Sequence, residues 1–328
     1  MAPTPPWQPD ASCQSLEALG EHLSTRDFGR LEDEALLSLL LAVSGRDFTR
    51  DFREEFGAED DWTQALGQTA RAVRHAIGFL RQDAAIAHLS LLPRPDVLPL
   101  LSRFFHLHPQ PPAAVRARLS HWLWQRALFD TERSFPDDEA RASLALLTGD
   151  ADATVRALLA RVGPPPERGW ERYSQPGMAG LASVADRVEA NALLALHPRH
   201  LLTGAVLEPG PLLEAQGAVA FLPLFPTSPP GLSTSPGAGD SMLLTLANQL
   251  FHPVLAPGVT LLGLVRTGAL PPAVFPSHAL SPEALVALRQ GDASSFLAHR
   301  RDALIAHIRE FIRTRTGADA QEATQGPE

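Results

Sequence analysis

Apolar residues recur at steps of three and four along the first half of the chain. Between residues 62 and 80 these positions are Trp62, Leu66, Ala70, Val73, Ile77 and Leu80. Residues with this spacing lie on one face of an α-helix, and Asp60 or Asp61 directly upstream is a typical N-cap. Further segments with helical patterns follow through short connections, so residues 12–162 are predicted to form a helical bundle.

The pattern changes after this bundle. Residues 163–200 begin with the run GPPPERGWERYSQPG, typical of a linker, and continue into one connecting helix that ends at Pro198. Residues 201–281 have weaker periodicity and contain two short strand-like runs, at 218–225 and 258–265. Asp240 or Ser241 is expected to cap a helix over residues 241–250.

The last ordered region is predicted over residues 282–315, as helices that pack back on the core. Its final segment, DASSFLAHRRDALIAHIREFI, has Asp292 or Ser294 as N-cap. The residues expected to face inward are Leu297, Leu304, Ile308, Phe311 and Ile312. Residues 1–11 and 316–328 lack periodicity and are predicted to be disordered. The whole chain is therefore expected to be mainly α-helical.

Composition excludes several classes of mechanism. All 28 basic residues are arginine, so the lysine of a P-loop or of a Schiff-base enzyme is absent. A single cysteine, Cys13, rules out an internal disulfide and a thiolate zinc cluster. No apolar run approaches the roughly 20 residues that cross a bilayer, and the N-terminus does not resemble a signal peptide. We expect a cytoplasmic protein without a membrane partner.

Charge allows only a local contact with nucleic acid, because the net charge is −9. The last helix carries the best cluster of cations, which are Arg300, Arg301, Arg309 and Arg313, with Arg315 beyond them. These side chains are the candidates for DNA phosphate contacts. The alternative is a solvated helix face whose cations stabilise the helix C-terminus.

Histidines provide weak signals for a metal site. His197 and His200 flank Pro198 at the end of the connecting helix, and two imidazoles can begin a metal site. A histidine stabilised by the dipole at a helix end is the commoner explanation. His252 and His278 are two further imidazoles in the following region.

Several stretches, taken in order, resemble the GmrSD-type proteins, which restrict modified DNA in bacteria. They include FGRLEDEALLSLLLAVSGRDFTRDF, LSHWLWQRALFD, ANALLALHPRHLLTG and SSFLAHRRDALIAHIREFI, and they span roughly residues 12–315. The resemblance implies a middle helical region, a small ββα segment of the HNH nuclease type, and a closing C-terminal helix. The ParB-like domain that begins full-length members has no counterpart here, which implies a separate nucleotide-dependent ParB-like partner.

The HNH-like segment departs from the family pattern at its catalytic positions. Phe225 and Pro226 match the family's Phe-Pro, but Leu222 and Pro223 stand where histidines are expected. The family's downstream asparagine aligns with Leu244, while Asn248 is out of phase. The resemblance with these departures implies a degenerate HNH segment that has no cofactor and does not cut DNA.

Two functions follow as expectations. The first is a non-catalytic structural, regulatory or DNA-contacting module related to the C-terminal half of these restriction proteins. The alternative is a metal-dependent DNA endonuclease whose ligands have moved to His252 and His278, with His197 and His200 as weaker candidates. A gene product with a fold but no retained role is a third interpretation.

Overall fold

The computed structural model describes most of the chain. The described residues are 15–24, 27–57, 59–129, 137–147, 149–163, 181–225, 243, 245–259, 261–268 and 270–317. Several predictions fall outside them, namely those for residues 1–11, the linker over 164–180, Pro226, Asp240, Ser241, Leu244 and the tail from residue 318. Thr316, predicted to be disordered, is helical.

Fourteen helices dominate the described residues, which confirms a mainly helical protein. They are α1 (Leu16–Ser24), α2 (Asp33–Val43), α3 (Phe52–Glu55), α4 (Trp62–Gln82), α5 (Leu98–Leu107), α6 (Ala113–Phe129), α7 (Asp137–Ala145), α8 (Ala151–Val162), α9 (Val184–Leu194), α10 (Pro209–Gln216), α11 (Leu261–Thr267), α12 (Val274–Ser277), α13 (Pro282–Gln290) and α14 (Ala293–Thr316). Within the described parts of the chain, none of them combines the length and the apolar character that a membrane crossing requires.

Helix α4 forms as its sequence pattern predicts. The Asp61 carboxylate accepts a hydrogen bond from the backbone N–H of Gln64 at 2.9 Å and so caps the helix. Trp62 is half-buried at the start of the helix and packs edge-on against Phe52 and Phe56. The rest of the predicted face is buried, namely Leu66, Ala70, Val73, Ile77 and Leu80.

The larger of two hydrophobic cores lies among α1, α2, α4, α5, α6, α8 and α9, with the second half of α14. The Trp124 indole in α6 donates a hydrogen bond to the backbone oxygen of Ala84 at 3.1 Å. Its ring meets the Phe311 ring of α14 edge-on, with 5.1 Å between centroids. Helix α14, the last helix that the structure describes, is thus built into the core that the first helices form.

A smaller core lies around α11, α12, α13 and the first turns of α14. Phe296 and Leu297 belong to this smaller core, whereas Leu304 and Ile308 of the same helix belong to the larger one. Asp292 caps the helix by accepting from the N–H of Ser295 at 2.9 Å. Helix α14 therefore joins the two cores along a single rigid element.

The structure corrects two predictions for residues 241–265. The run 258–265 is not a strand, because α11 occupies its second half with Leu262 and Val265 one turn apart against the smaller core. Short apolar runs do not distinguish strand from helix by periodicity. The helix predicted over 241–250 does not reach residue 250: Leu243 is helical, but a 3₁₀ turn at Leu246–Asn248 leads directly into a strand.

Candidate functional site

A two-stranded hairpin stands where the sequence predicts the nuclease segment. Strand β1 (Phe221–Pro223) lies within the predicted run 218–225 and pairs antiparallel with β2 (Gln249–Phe251). In this register Leu222 faces Leu250 and Pro223 faces Gln249. Leu222 packs against the smaller core and Pro223 is exposed. Neither side chain has an atom that could accept a proton or bind a cation.

Asn248 stabilises the end of this hairpin through side-chain hydrogen bonds, a role that the sequence pattern did not assign to it. Its Oδ1 accepts from the N–H of Phe225 at 2.8 Å, and its Nδ2 donates to the Phe225 oxygen at 3.0 Å. Nδ2 also donates to the backbone oxygen of Leu243 at 2.9 Å. The side chain is fully buried, and a polar residue inside the apolar run LANQLF was the available signal.

Arg300 is buried and stabilises the fold, and it does not lie on the surface. The side chain is 0% exposed, and it donates hydrogen bonds to backbone oxygens. These acceptors belong to His278, Leu246, Ala247 and Gln249. Burial lowers the pKa of its guanidinium to about 9. The expectation that Arg300 contacts a DNA phosphate is therefore wrong, because its donors are already directed into the protein.

His252 follows β2 directly and both of its ring nitrogens are engaged. Nδ1 donates to the Pro253 oxygen at 2.8 Å, and Nε2 accepts from the N–H of Leu201 at 3.2 Å. This pairing fixes a neutral tautomer with the proton on Nδ1. Burial, more than the neighbouring His200, lowers the pKa of His252 below its usual value. The His252 ring lies 4.6 Å from the His200 ring, centroid to centroid.

His278 is buried beside the same segment. Its Nε2 donates to the backbone oxygen of Arg199 at 2.7 Å, and its Nδ1 is buried without a hydrogen-bond partner. Burial is the main reason why the pKa of His278 falls to about 4, with Arg300 and His252 lowering it further. His278 and His252 thus hold the backbone of residues 199–201 from two sides.

The four candidate histidines are only partly brought together. His200, His252 and His278 lie near one another, but His200 uses Nδ1 to accept from the N–H groups of Leu202 and Thr203. His197 lines a separate cavity of about 510 Å³. Among the described residues, no three histidine, cysteine or acidic side chains are arranged to hold a metal ion.

The outer face of α14 carries the remaining candidate cations. Arg301 pairs with Asp302 at 2.9 Å, and Arg313 pairs with Glu310 at 2.7 Å. Arg309 is exposed, and no described carboxylate lies within 4.0 Å of its guanidinium. Exposed ion pairs of this kind contribute about 0–1 kcal/mol, so a phosphate can replace the carboxylate.

Comparisons with protein family models, with curated proteins and with solved structures found no match. The functional interpretation therefore depends on the hairpin, on its histidines and on the exposed face of α14.

Proposed function

We propose that the chain is a structural, regulatory or DNA-contacting module related to the C-terminal half of GmrSD-type restriction proteins, and that its HNH-like segment is non-catalytic. The observation that carries the proposal is the chemistry of the hairpin. Leu222 and Pro223 occupy the strand where the family resemblance calls for a general base and a metal ligand, and neither residue can serve. Asn248 and Arg300 instead hold this region together through buried hydrogen bonds to its backbone.

A nuclease with relocated ligands is the second candidate, and the gathering of His200, His252 and His278 favours it. A metal ligand must offer an unprotonated nitrogen lone pair to the ion. The Nε2 lone pair of His252 faces the Leu201 N–H, and the Nδ1 proton of His252 faces the Pro253 oxygen. The bond from the Leu201 N–H to Nε2 would have to break before His252 could bind an ion, so a non-catalytic segment is the better supported function.

DNA contact would use the exposed face of α14, through Arg301, Arg309 and Arg313. These side chains reach solvent, while Arg300 on the same helix holds the hairpin from the inside. A ParB-like partner protein would supply the nucleotide-dependent activity. An affinity pull-down from the native host, scored for nucleic acid and for nucleotide hydrolysis, tests for that partner.

Cleavage assays separate the two candidate functions. Purified protein incubated with modified and unmodified duplex DNA, in Mg²⁺ or Mn²⁺, is expected to leave both substrates intact. Cleavage that disappears in His252→Ala, with folding of the variant confirmed by circular dichroism, would establish the nuclease and contradict the proposal.

Binding assays test the DNA contact. Fluorescence anisotropy with a labelled duplex is expected to show affinity that falls as salt rises, with a log–log slope of about −0.9 per phosphate contact. The triple variant Arg301→Gln, Arg309→Gln and Arg313→Gln should reduce that slope by about 3. The control triple Arg50→Gln, Arg53→Gln and Arg156→Gln changes the net charge equally on other exposed arginines and should leave the slope nearly unchanged. Equal effects of the two triples would contradict a contact through α14.

A further inference from the structure

A second site lies in the larger helical core, away from the hairpin. A cavity of about 770 Å³ opens between α2, the start of α5 and the 3₁₀ turn at Leu89–Leu91. Its apolar wall includes Leu31, Leu39, Phe48 and Leu98. Small-molecule sites are commonly apolar cavities of about 300–1,000 Å³ with a few convergent polar groups. This cavity has that size and that composition.

Three polar side chains form a chain of hydrogen bonds at the cavity wall. The Ser90 Oγ lies 2.9 Å from Nδ1 of His88, and Nε2 of His88 lies 3.1 Å from Oε2 of Glu214. His88 and Ser90 line the cavity, while Glu214 comes from α10 behind them. A hydroxyl next to an imidazole that is oriented by a carboxylate is the arrangement of an activated nucleophile.

The protonation pattern of His88 follows from its neighbours. The backbone N–H of Ser90 also points to Nδ1, at 3.2 Å. A backbone N–H can only donate, so Nδ1 is the unprotonated nitrogen and Nε2 carries the proton. The Nε2 proton then faces the Glu214 carboxylate, and the Ser90 hydroxyl can donate to Nδ1. The imidazole is therefore in the tautomer that can accept the Ser90 proton.

The backbone around His88 holds this ring closely. The Leu89 N–H donates to the Phe28 oxygen at 2.7 Å, which ties the turn to the preceding segment. Gly29 has φ of +101°, and a Cβ there would lie 3.0 Å from Cε1 of His88. Any larger residue at position 29 would be strained and would press on the ring. The position of the imidazole is thus set by packing as well as by its hydrogen bonds.

We infer that Ser90 is a nucleophile that accepts acyl groups from esters with an apolar acyl chain, with His88 as general base and Glu214 as a positioning residue. The Ser90 oxygen forms a bond to the carbonyl carbon while His88 Nδ1 takes the hydroxyl proton. The carbon–oxygen bond to the alcohol then breaks, and the alcohol leaves with that proton. Water attacks the acyl-serine, gives a proton to Nδ1, and restores the Ser90 hydroxyl as the carboxylic acid leaves.

Charged residues of both signs line the cavity, namely Arg30 and Arg187 with Glu32, Glu34 and Asp96. Burial lowers the pKa of His88, Glu214 opposes that effect, and the nearby Arg81 lowers it further, so the imidazole is neutral at pH 7. A neutral imidazole is what a general base requires. Arg187 already donates from Nε and Nη1 to the backbone oxygens of Leu181, Leu92 and Pro93. Arg30, which is exposed and lines the same cavity, is therefore the cation available to a negatively charged tetrahedral intermediate.

A covalent probe tests the nucleophile without knowledge of the natural substrate. The full chain, treated with an alkyl fluorophosphonate and analysed by peptide mass spectrometry, is expected to carry the phosphonyl group on Ser90. Ser90→Ala should abolish labelling. The control Ser38→Ala, which removes another hydroxyl from the same cavity wall, should retain it. A folded wild-type chain that is unlabelled, or that is labelled at another serine, would overturn the inference.

Ester hydrolysis tests the other two roles. With p-nitrophenyl butyrate, His88→Gln should lower the rate about 100-fold or more, and Glu214→Gln should lower it about tenfold. Glu214 raises the pKa of His88, so Glu214→Gln should also move the inflection of the pH–rate profile to lower pH. An unchanged profile in Glu214→Gln, or full activity in His88→Gln, would contradict these roles. Neither result depends on DNA binding by α14, so the two proposals succeed or fail separately.

Discussion

The side-chain amide of Asn248 and the backbone of Phe225 form a closed ring of two hydrogen bonds. Oδ1 accepts from the Phe225 N–H at 2.8 Å, and Nδ2 donates to the Phe225 oxygen at 3.0 Å. The amide thus pairs with a residue 23 positions away as a neighbouring strand would. The Asn248 side chain thus extends the hairpin beyond β1 and β2. Its two hydrogen bonds take the place of those that the backbone of a further strand residue would make.

Asn248→Asp is expected to destabilise the protein by about 3 kcal/mol at neutral pH. The substitution keeps the shape of the side chain but replaces two N–H donors with an oxygen that faces the Phe225 and Leu243 carbonyls. Asn248→Ala removes all three side-chain hydrogen bonds, including the one accepted from the Phe225 N–H, but it buries no charge, so it should be the milder change. Thermal and urea unfolding measure both free energies.

The stabilities of these two variants should depend differently on pH. Burial raises the pKa of a carboxyl group, so the folded Asn248→Asp variant binds a proton more readily than its unfolded chain. Its stability relative to wild type should therefore increase as the pH falls, because a protonated carboxyl donates one hydrogen bond again. Asn248→Ala should show no such gain. A gain that is equal in both variants would contradict the hydrogen-bond assignment.

Arg300→Leu is expected to destabilise the protein by about 3–5 kcal/mol. The guanidinium serves four backbone oxygens, among them those of His278 and Gln249, and leucine leaves these buried acceptors unpaired. The adjacent Arg301→Leu is the matched control, since Arg301 is partly exposed and pairs with Asp302. That control should change stability by no more than about 0.5 kcal/mol. Similar losses in both variants would contradict a structural role specific to Arg300.

Local periodicity explains which parts of the fold could be predicted. The inner face of α14 and the caps Asp61 and Asp292 depend only on residues within one or two turns. Arg300 lies four residues after Phe296 and four before Leu304, in the middle of the buried face. Its position in the pattern indicates burial, whereas its charge suggests the surface. The charge is tolerated there because backbone oxygens, which no sequence pattern displays, converge on it.

Long-range pairing explains what could not be predicted. Strand β2 is three residues long and exists because Phe251 pairs with Phe221, 30 positions earlier. Its local sequence, in which Leu246 and Leu250 are four residues apart, is equally typical of a helix. The contact between His88 and Glu214 joins residues 126 positions apart. Neither residue lies in a motif, so only the folded chain, in which Gly210 of α10 lies close to the backbone oxygens of Asp27 and Ala87, could reveal the pair.

Gly317→Ala tests the end of α14. Gly317 has φ of +71°, and an added Cβ would lie 2.6 Å from Nδ1 of His121. We expect a loss of about 2–3 kcal/mol, from the left-handed conformation and from displacement of the imidazole. Gly291→Ala is the control, because Gly291 ends α13 at φ of +80° with no atom within 4 Å of the added Cβ. Gly291→Ala should lower the free energy of unfolding by only about 1 kcal/mol. Equal losses in the two variants, measured by urea unfolding, would contradict a steric contribution from His121.

The stability of the protein should fall as the pH drops from about 6.5 to about 4, in part because of His278. The pKa of His278 is about 4 in the folded chain, whereas the ordinary value of 6.5 applies once the chain unfolds. Between these values the unfolded chain binds the proton and the folded chain does not, so acid favours unfolding. The full difference corresponds to about 3 kcal/mol.

His278→Gln should flatten this dependence, because glutamine can still donate to the Arg199 oxygen but does not titrate. Burial also lowers the pKa of His252, so part of the slope should remain. The control His299→Gln makes the same substitution at an exposed imidazole, so it separates the effect of burial from the effect of the substitution itself. Unfolding free energies from urea titrations at pH 4, 5, 6 and 7 measure all three chains. If His278→Gln keeps the wild-type slope of stability against pH, the unpartnered Nδ1 of His278 takes up its proton without unfolding of the chain. The hairpin region would then contain space for water.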